Sequence, residues 1–159
     1  MTEIRHDLHD ATADAFAEFY ARTEPQLRRA LVAALGPSAG SEAAAQAMAY
    51  GYEHWQRVGA LDNPAGYLYR VGRNAARNRR RPLPLVLPDQ AAEPGFEPGL
   101  PVALNRLSEQ QRQAVLLVNA WGTTLSEAAA ILGVSVSTLR NHLNRGMDRL
   151  RRELGAHDV

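Results

Sequence analysis

The chain has 159 residues, a formal net charge of +1, 45% hydrophobic residues and no cysteine. That length suffices for one domain or two small ones, each marginally stable alone, and the missing cysteine excludes disulfides and thiolate metal sites. All 18 basic residues are arginine, which favours forked contacts to phosphate and guanine, although a GC-rich genome imposes the same bias.

The first ten residues lack the basic-then-apolar order of a signal peptide, and no segment approaches the roughly 20 apolar residues of a membrane span. A cytoplasmic chain without membrane insertion is expected. His6 and His9 have a spacing that can hold a metal on a helix, but no cysteine and no convincing third ligand accompany them, so neither a metal nor another cofactor is expected. From Ala11 to about Leu35, Phe16, Phe19, Tyr20, Leu27, Leu31 and Val32 recur at helical spacing, with Pro25 marking a kink or a new first turn. GPSAG, residues 36–40, is a break. Ser41 is then expected to cap a helix running through Ala45, Met48, Tyr52 and Trp55 to about Val58.

Asn63 followed by Pro64 starts a third helix, since proline at the first helical position forfeits no hydrogen bond. It carries Tyr67, Leu68, Val71 and Ala75 inward. It also carries Arg70, Arg73, Arg77, Arg79, Arg80 and Arg81, with no acidic residue from Gly66 to Arg81, a stripe of one sign suited to phosphate. The run from Arg77 to Arg81 also fits a solvated helix end favoured by the helix dipole. Tyr69, off the buried stripe, is a candidate for stacking on unpaired bases, whereas core packing competes for Trp55 and Tyr67.

Residues 82–103 hold six of the nine prolines, three acids and no base, the composition of a linker. Ser108 with Gln111 matches a capping box and opens a helix carrying Val115, Leu117, Val118 and Trp121. Thr124 with Glu127 gives another, for a helix with Leu125, Ala128, Ala129 and Leu132 on one face, ended by Gly133. Ser135 caps the helix that follows, whose buried stripe is Leu139, Leu143, Met147 and Leu150, with His142 a packing or phosphate-facing residue beside it. Ser137, Thr138, Arg140, Asn141, Asn144 and Arg145 then face outward. Two short helices joined by a tight glycine turn form a helix-turn-helix, and arginine, asparagine and short hydroxyls suit base edges and phosphates of a major groove. The competing reading is a helical hairpin with a merely wet polar face. No phosphate loop, nucleophile elbow or zinc-protease motif is present, so the chain is not expected to be an enzyme. The expected fold is all-α: helical domains at 1–81 and 104–159 joined by the Pro-rich linker at 82–103.

Two blocks, FAEFY with WQRVGALDNPAGYLYRVGRNAARNRRR and LNRLSEQQRQAVLLVNAWGTTLSEAAAILGVSVSTLRNHLNRGMDRLRREL, resemble regions two and four of a small RNA polymerase sigma factor of the extracytoplasmic-function (ECF) type. The resemblance covers nearly the whole chain. It implies that the C-terminal region reads an upstream promoter element and that the N-terminal domain recognises and opens a downstream one. It further implies a pocket for the exposed base near residues 60–63, including Leu61, Asp62 and Asn63, with Arg73, Asn74 and Arg77 close to the strand. Promoter DNA and core RNA polymerase are the implied partners, with an anti-sigma factor a further candidate. One stretch departs from the family. Where relatives carry an acidic pair and a Gln-Glu step that dock on polymerase, GSEAAAQAM retains Glu42 and a displaced Gln46, so weaker docking is expected. Two alternatives remain: a self-sufficient helix-turn-helix regulator, and a sigma-like protein that interacts with a partner while engaging polymerase poorly.

Overall fold

The computed structural model describes residues 2–77 and 99–155, with side chains from Asp10 onward. Every regular element among them is helical: α1 (Thr2–Leu35), α2 (Pro37–Glu53), α3 (Trp55–Val58), α4 (Pro64–Arg77), α5 (Leu100–Arg106), α6 (Glu109–Val115), α7 (Leu125–Leu132) and α8 (Val136–Gly155), with a π-helical turn at Leu116–Ala120 between α6 and α7. His6 and His9, Arg79 to Arg81 and most of the expected linker lie outside the described residues and side chains.

Four boundaries differ from expectation. α1 continues through Pro25 as one helix, because Phe19, Leu27, Ala30 and Leu31 on either side of the ring are all buried in one cluster and hold the turns in line. α2 opens at Pro37, not after Ser41; the fixed φ of proline is already helical, so the helix gains a turn at no conformational cost. It ends at Glu53, and after His54 the chain begins the separate short helix α3. α5 begins at Leu100 with Pro101 in its first turn, four residues inside the stretch read as linker, and Ala103 and Leu104 are buried.

α1 and α2 form an antiparallel hairpin, and α4 lies across both, burying Leu68 and Gly72 against them. α6, α7 and α8 form a second group, with α5 laid along α8. These groups meet. Leu27, Leu31, Met48, Val58 and Leu68 from the first share one buried cluster with Ala114, Leu117, Ala128, Ile131 and Leu139 from the second. A smaller cluster seats Ala33 of α1 among Leu104, Leu107, Val115, Leu116 and Leu150. At about 1.5–3 kcal/mol for each large aliphatic side chain taken fully from water, this mixed core is the main favourable contribution to the arrangement.

Candidate nucleic-acid interface

Local chemistry fixes the C-terminal helix-turn-helix. Thr124 and Glu127 form the expected capping box, with Glu127 N–H to Thr124 Oγ1 at 3.2 Å and Thr124 N–H to Glu127 Oε2 at 3.0 Å. Ser108 and Gln111 form the other. Gly133 ends α7 at φ 66°, a left-handed backbone that side chains with a Cβ disfavour. Ser135 then caps α8 by accepting from Thr138 N–H at 3.1 Å. Leu139, Gly146 and Leu150 are buried, with Leu143 and Met147 half-buried beside them, so the opposite face is turned to solvent.

Ser137, Thr138, Arg140, Asn141, Asn144 and Arg145 are all exposed on that face. The hydroxyls of Ser137 and Thr138 lie 3.1 and 2.8 Å from Ser135 Oγ and so form part of the cap. Arg140, Asn141, Asn144 and Arg145 have no hydrogen bond or ion pair among the described residues, so their forks and amides are available to a ligand. Val134 and Val136, which sequence reasoning passed over, flank Ser135 with 36% and 37% of their surface exposed. Exposed apolar side chains at the start of a helix could meet a thymine methyl if that helix entered a major groove.

The N-terminal set behaves differently. Leu61, Asp62, Asn74, Arg70 and Arg77 are exposed. Asn63 caps α4, accepting Gly66 N–H on Oδ1 at 3.0 Å, and its Nδ2 donates to the main-chain oxygen of Ala130, in the last turn of α7, at 2.6 Å. Gly66 makes that approach possible, since a Cβ there would lie 2.9 Å from Ala130 O and 2.5 Å from Asn63 Nδ2. Arg73 grips Glu109 at the start of α6 with both arms of its fork, at 2.6 and 2.8 Å, a bond that raises the guanidinium pKa further. Tyr69, expected to be free for stacking, is 5% exposed and accepts a hydrogen bond from Gln113 Nε2. The stripe on α4 was read as if the helix had one buried face, whereas α4 packs on α1 and α2 on one side and on α7 on another. Burial pushes the Tyr69 hydroxyl above the ordinary tyrosine value.

Trp55 packs edge-on to Phe16 and against Phe19, at 5.3 and 4.9 Å between ring centroids, which assigns it to the core. Tyr67 is half-buried and belongs to a group that sequence reasoning missed, beside the 59–63 loop. The Tyr50 and Tyr67 hydroxyls are 3.4 Å apart, Arg57 donates to Tyr50, and its guanidinium lies 5.9 and 6.0 Å from the two ring centroids. The bond with Tyr67 pulls the Tyr50 hydroxyl below its ordinary pKa, and Arg57 adds to the effect. The only sequence signal was an arginine two residues after Trp55. On α2, Glu42 is exposed and accepts a hydrogen bond from Gln46 at 3.3 Å, with Ala45 and Ala49 exposed alongside. Among the described residues no group of three or more His, Cys, Asp or Glu side chains could hold a metal, and no helix is long and apolar enough to cross a membrane.

Comparison with known proteins bears on the family and the fold. Residues 100–150 match the family model of sigma-70 region 4, which begins where α5 begins. The ECF RNA polymerase sigma factor EcfG of Rhodopseudomonas palustris is 40% identical over 63 residues, covering 40% of this chain and 34% of the relative. The RNA polymerase sigma-E factor of Streptomyces antibioticus is 32% identical over 124 residues, covering 71% and 69%. The ECF sigma factor SigM of Mycobacterium tuberculosis is 33% identical over 101 residues, covering 57% and 52%. The chain thus spans about a third of EcfG, half of SigM and two thirds of the Streptomyces protein. In fold it is similar to the sigma factor RpoE of Bartonella quintana, solved with the anti-sigma factor NepR (TM-score 0.59, 22% identity, 88% of this chain and 96% of that one). It is equally similar to CnrH, solved with the cytosolic domain of CnrY (TM-score 0.59, 22% identity, 93% and 97%).

Proposed function

The chain belongs to the ECF-type RNA polymerase sigma factors, and from that premise we propose that it directs core RNA polymerase to specific promoters and initiates transcription in the cytoplasm. It acts by binding and carries out no covalent chemistry. The observation that carries the reading is the outer face of α8: Arg140, Asn141, Asn144 and Arg145 project from a helix seated by Leu139, Gly146 and Leu150, and no hydrogen bond or ion pair among the described residues engages them. Arginine pairs with guanine and asparagine with adenine through two hydrogen bonds each. Ser137 and Thr138 orient the helix start and meet the backbone.

The N-terminal domain, residues 1–81, opens the downstream element, with Leu61, Asp62, Asn63 and Asn74 around the exposed base and Arg73, Arg77, Arg80 and Arg81 along the phosphates. The C-terminal domain begins near residue 100 and the intervening stretch sets the reach between readers. Each reader alone binds weakly, and attachment to polymerase raises the effective concentration of the second contact. Glu42 and Gln46 dock on polymerase; their bond to each other and the neighbouring exposed alanines support a weaker engagement than that of relatives with a full acidic face. An anti-sigma factor is the proposed inhibitory partner, by analogy with RpoE and CnrH.

Co-purification with core polymerase, followed by transcription from a library of genomic fragments, tests the reading. Arg140→Ala and Asn141→Ala are each expected to cost about 1–3 kcal/mol on the preferred promoter and to relax preference at one or two positions. Transcription that does not depend on the protein, or a homodimer that binds operators without polymerase, would establish the self-sufficient regulator instead.

A further inference from the structure

Beside the 59–63 loop, Arg57 carries a positive charge for which the described residues supply no carboxylate. The groups that act on its guanidinium are the Tyr50 and Tyr67 phenols, and Glu53 and Asp62, the acids nearest in sequence, form no ion pair with it. Its neighbours on both sides are anchored: Trp55 packs on Phe16 and Phe19, at 5.3 and 4.9 Å between ring centroids, and Val58 is fully buried. The break after α2 gives Arg57 its direction. His54 ends that helix with its N–H and ring Nδ1 at 3.1 and 3.0 Å from Tyr50 O, and its ring stacks on that of Tyr50 at 4.2 Å. α3 then starts separately and returns Arg57 to the Tyr50 hydroxyl, seven residues earlier.

This group holds more protons than acceptors. One N–H of Arg57 goes to Tyr50 Oη, and the rest of its fork has no partner among the described residues. The Tyr50 and Tyr67 hydroxyls, 3.4 Å apart, share one proton and leave the other unclaimed. An oxygen that accepts from a cation donates more strongly in turn, so Tyr50 gives to Tyr67 and the Tyr67 proton is the one turned outward. A cationic fork and a phenolic proton side by side, with no anion of the fold to take them, match the oxygens of a phosphate. The loop is tied to both elements: Leu61 N–H donates to Val58 O and Tyr67 N–H to Asn63 O, each at 3.1 Å.

We infer that Arg57 and the Tyr67 hydroxyl form a phosphate-binding site for the nucleotide of the unpaired strand that lies at the 59–63 loop. Tyr50 and His54 are its positioning residues. The donor set stands on geometry alone, whereas the source of the phosphate, a nucleic-acid strand, rests on the proposed role of the N-terminal domain.

The test uses the full chain and a fluorescein-labelled single-stranded DNA of randomised sequence, roughly 20 nucleotides long so that it exceeds one module's site. Arg57→Gln is expected to lower the slope of log affinity against log salt by about 0.7, one contact to a single strand. Arg57→Lys should restore that slope. Tyr67→Phe keeps the ring and every charge, so it should weaken binding roughly two- to ten-fold, the worth of one exposed hydrogen bond, with the slope unchanged. A cluster that only braces the surface would instead lower the melting temperature of these variants and leave affinity and slope as in the parent, which overturns the site. Loss of binding to a fluorescent nucleoside triphosphate in Arg57→Gln, with strand binding as in the parent, would keep the donor set and overturn the strand as its ligand. Polymerase-dependent transcription by the parent, with parent-like slopes in the Arg57 variants, would overturn this site alone. A slope lost in Arg57→Gln, in a chain on which no transcription depends, would overturn the proposed function and leave the site.

Discussion

Asn63 joins two helices through one amide: its oxygen caps α4 and its nitrogen meets the end of α7. Asparagine and aspartate cap equally well, but only asparagine has a proton for Ala130 O. Asn63→Asp is therefore expected to preserve the start of α4 and lose the contact with α7, at about 0.5–1.5 kcal/mol for an exposed hydrogen bond. Asn63→Ala loses the cap as well, a further 0.5–2 kcal/mol or so. Denaturant titration of the pair checks the order. Tyr69 offers a test by pH. Its hydroxyl is raised above about 10 in the folded chain, so its contribution is complete below pH 10 or so and is lost as pH climbs through the folded value. Unfolding midpoints should fall on the alkaline side more steeply for the parent than for Tyr69→Phe, and tyrosinate absorbance should show the latest-titrating ring missing from that variant. The outward residues of α8 were legible because capping and stripe fix which way a helix faces. The second contacts of Asn63, Tyr69 and Arg73 were not, because their partners lie 67, 44 and 36 residues away and no local periodicity encodes them.

At the level of elements, two glycines separate strain from space. Gly133 has a positive φ and nothing within 4 Å of an added Cβ, whereas Gly66, inside α4, has no room at all. Gly133→Ala is accordingly expected to cost about 1 kcal/mol, from backbone conformation alone, and to lower the melting temperature without altering strand binding. Gly66→Ala should cost more, because a Cβ there meets Asn63 Nδ2 at 2.5 Å and Ala130 O at 2.9 Å. A Gly133→Ala chain with unchanged melting would mean that α7 ends in some other way. Helix starts were predictable where a side chain completes the hydrogen bonding, as at Ser108, Thr124 and Ser135. They were misjudged where proline decided them, at Pro37 and Pro101, and the π-helical turn after Val115 left no trace in the apolar spacing.

Across the whole molecule, an all-α chain with a C-terminal helix-turn-helix was readable from composition and spacing. The burial of Leu117, Ile131 and Leu139 in one cluster with Leu31 and Leu68 was not, since those residues look the same in sequence whether each group closes its own core or shares one. A shared core predicts a single cooperative transition, with calorimetric and van't Hoff enthalpies in agreement. Leu117→Ala should lower stability by about 2–5 kcal/mol and shift that one transition, read equally by probes in α2 and in α8. Two separate transitions, with only the second moved, would show that the groups fold independently. The contacts that hold α6 and α7 on the N-terminal helices have a consequence for genetics as well. Ala130, Ala33, Ala34 and Ala30 each hold a partner through the main-chain oxygen, and a substituted side chain leaves that oxygen where it was. Alanine scanning is blind to the acceptor side of these contacts, and destabilising substitutions should be found at Asn63, Arg73, Glu109, Arg112 and Gln113 while passing over the alanines that face them.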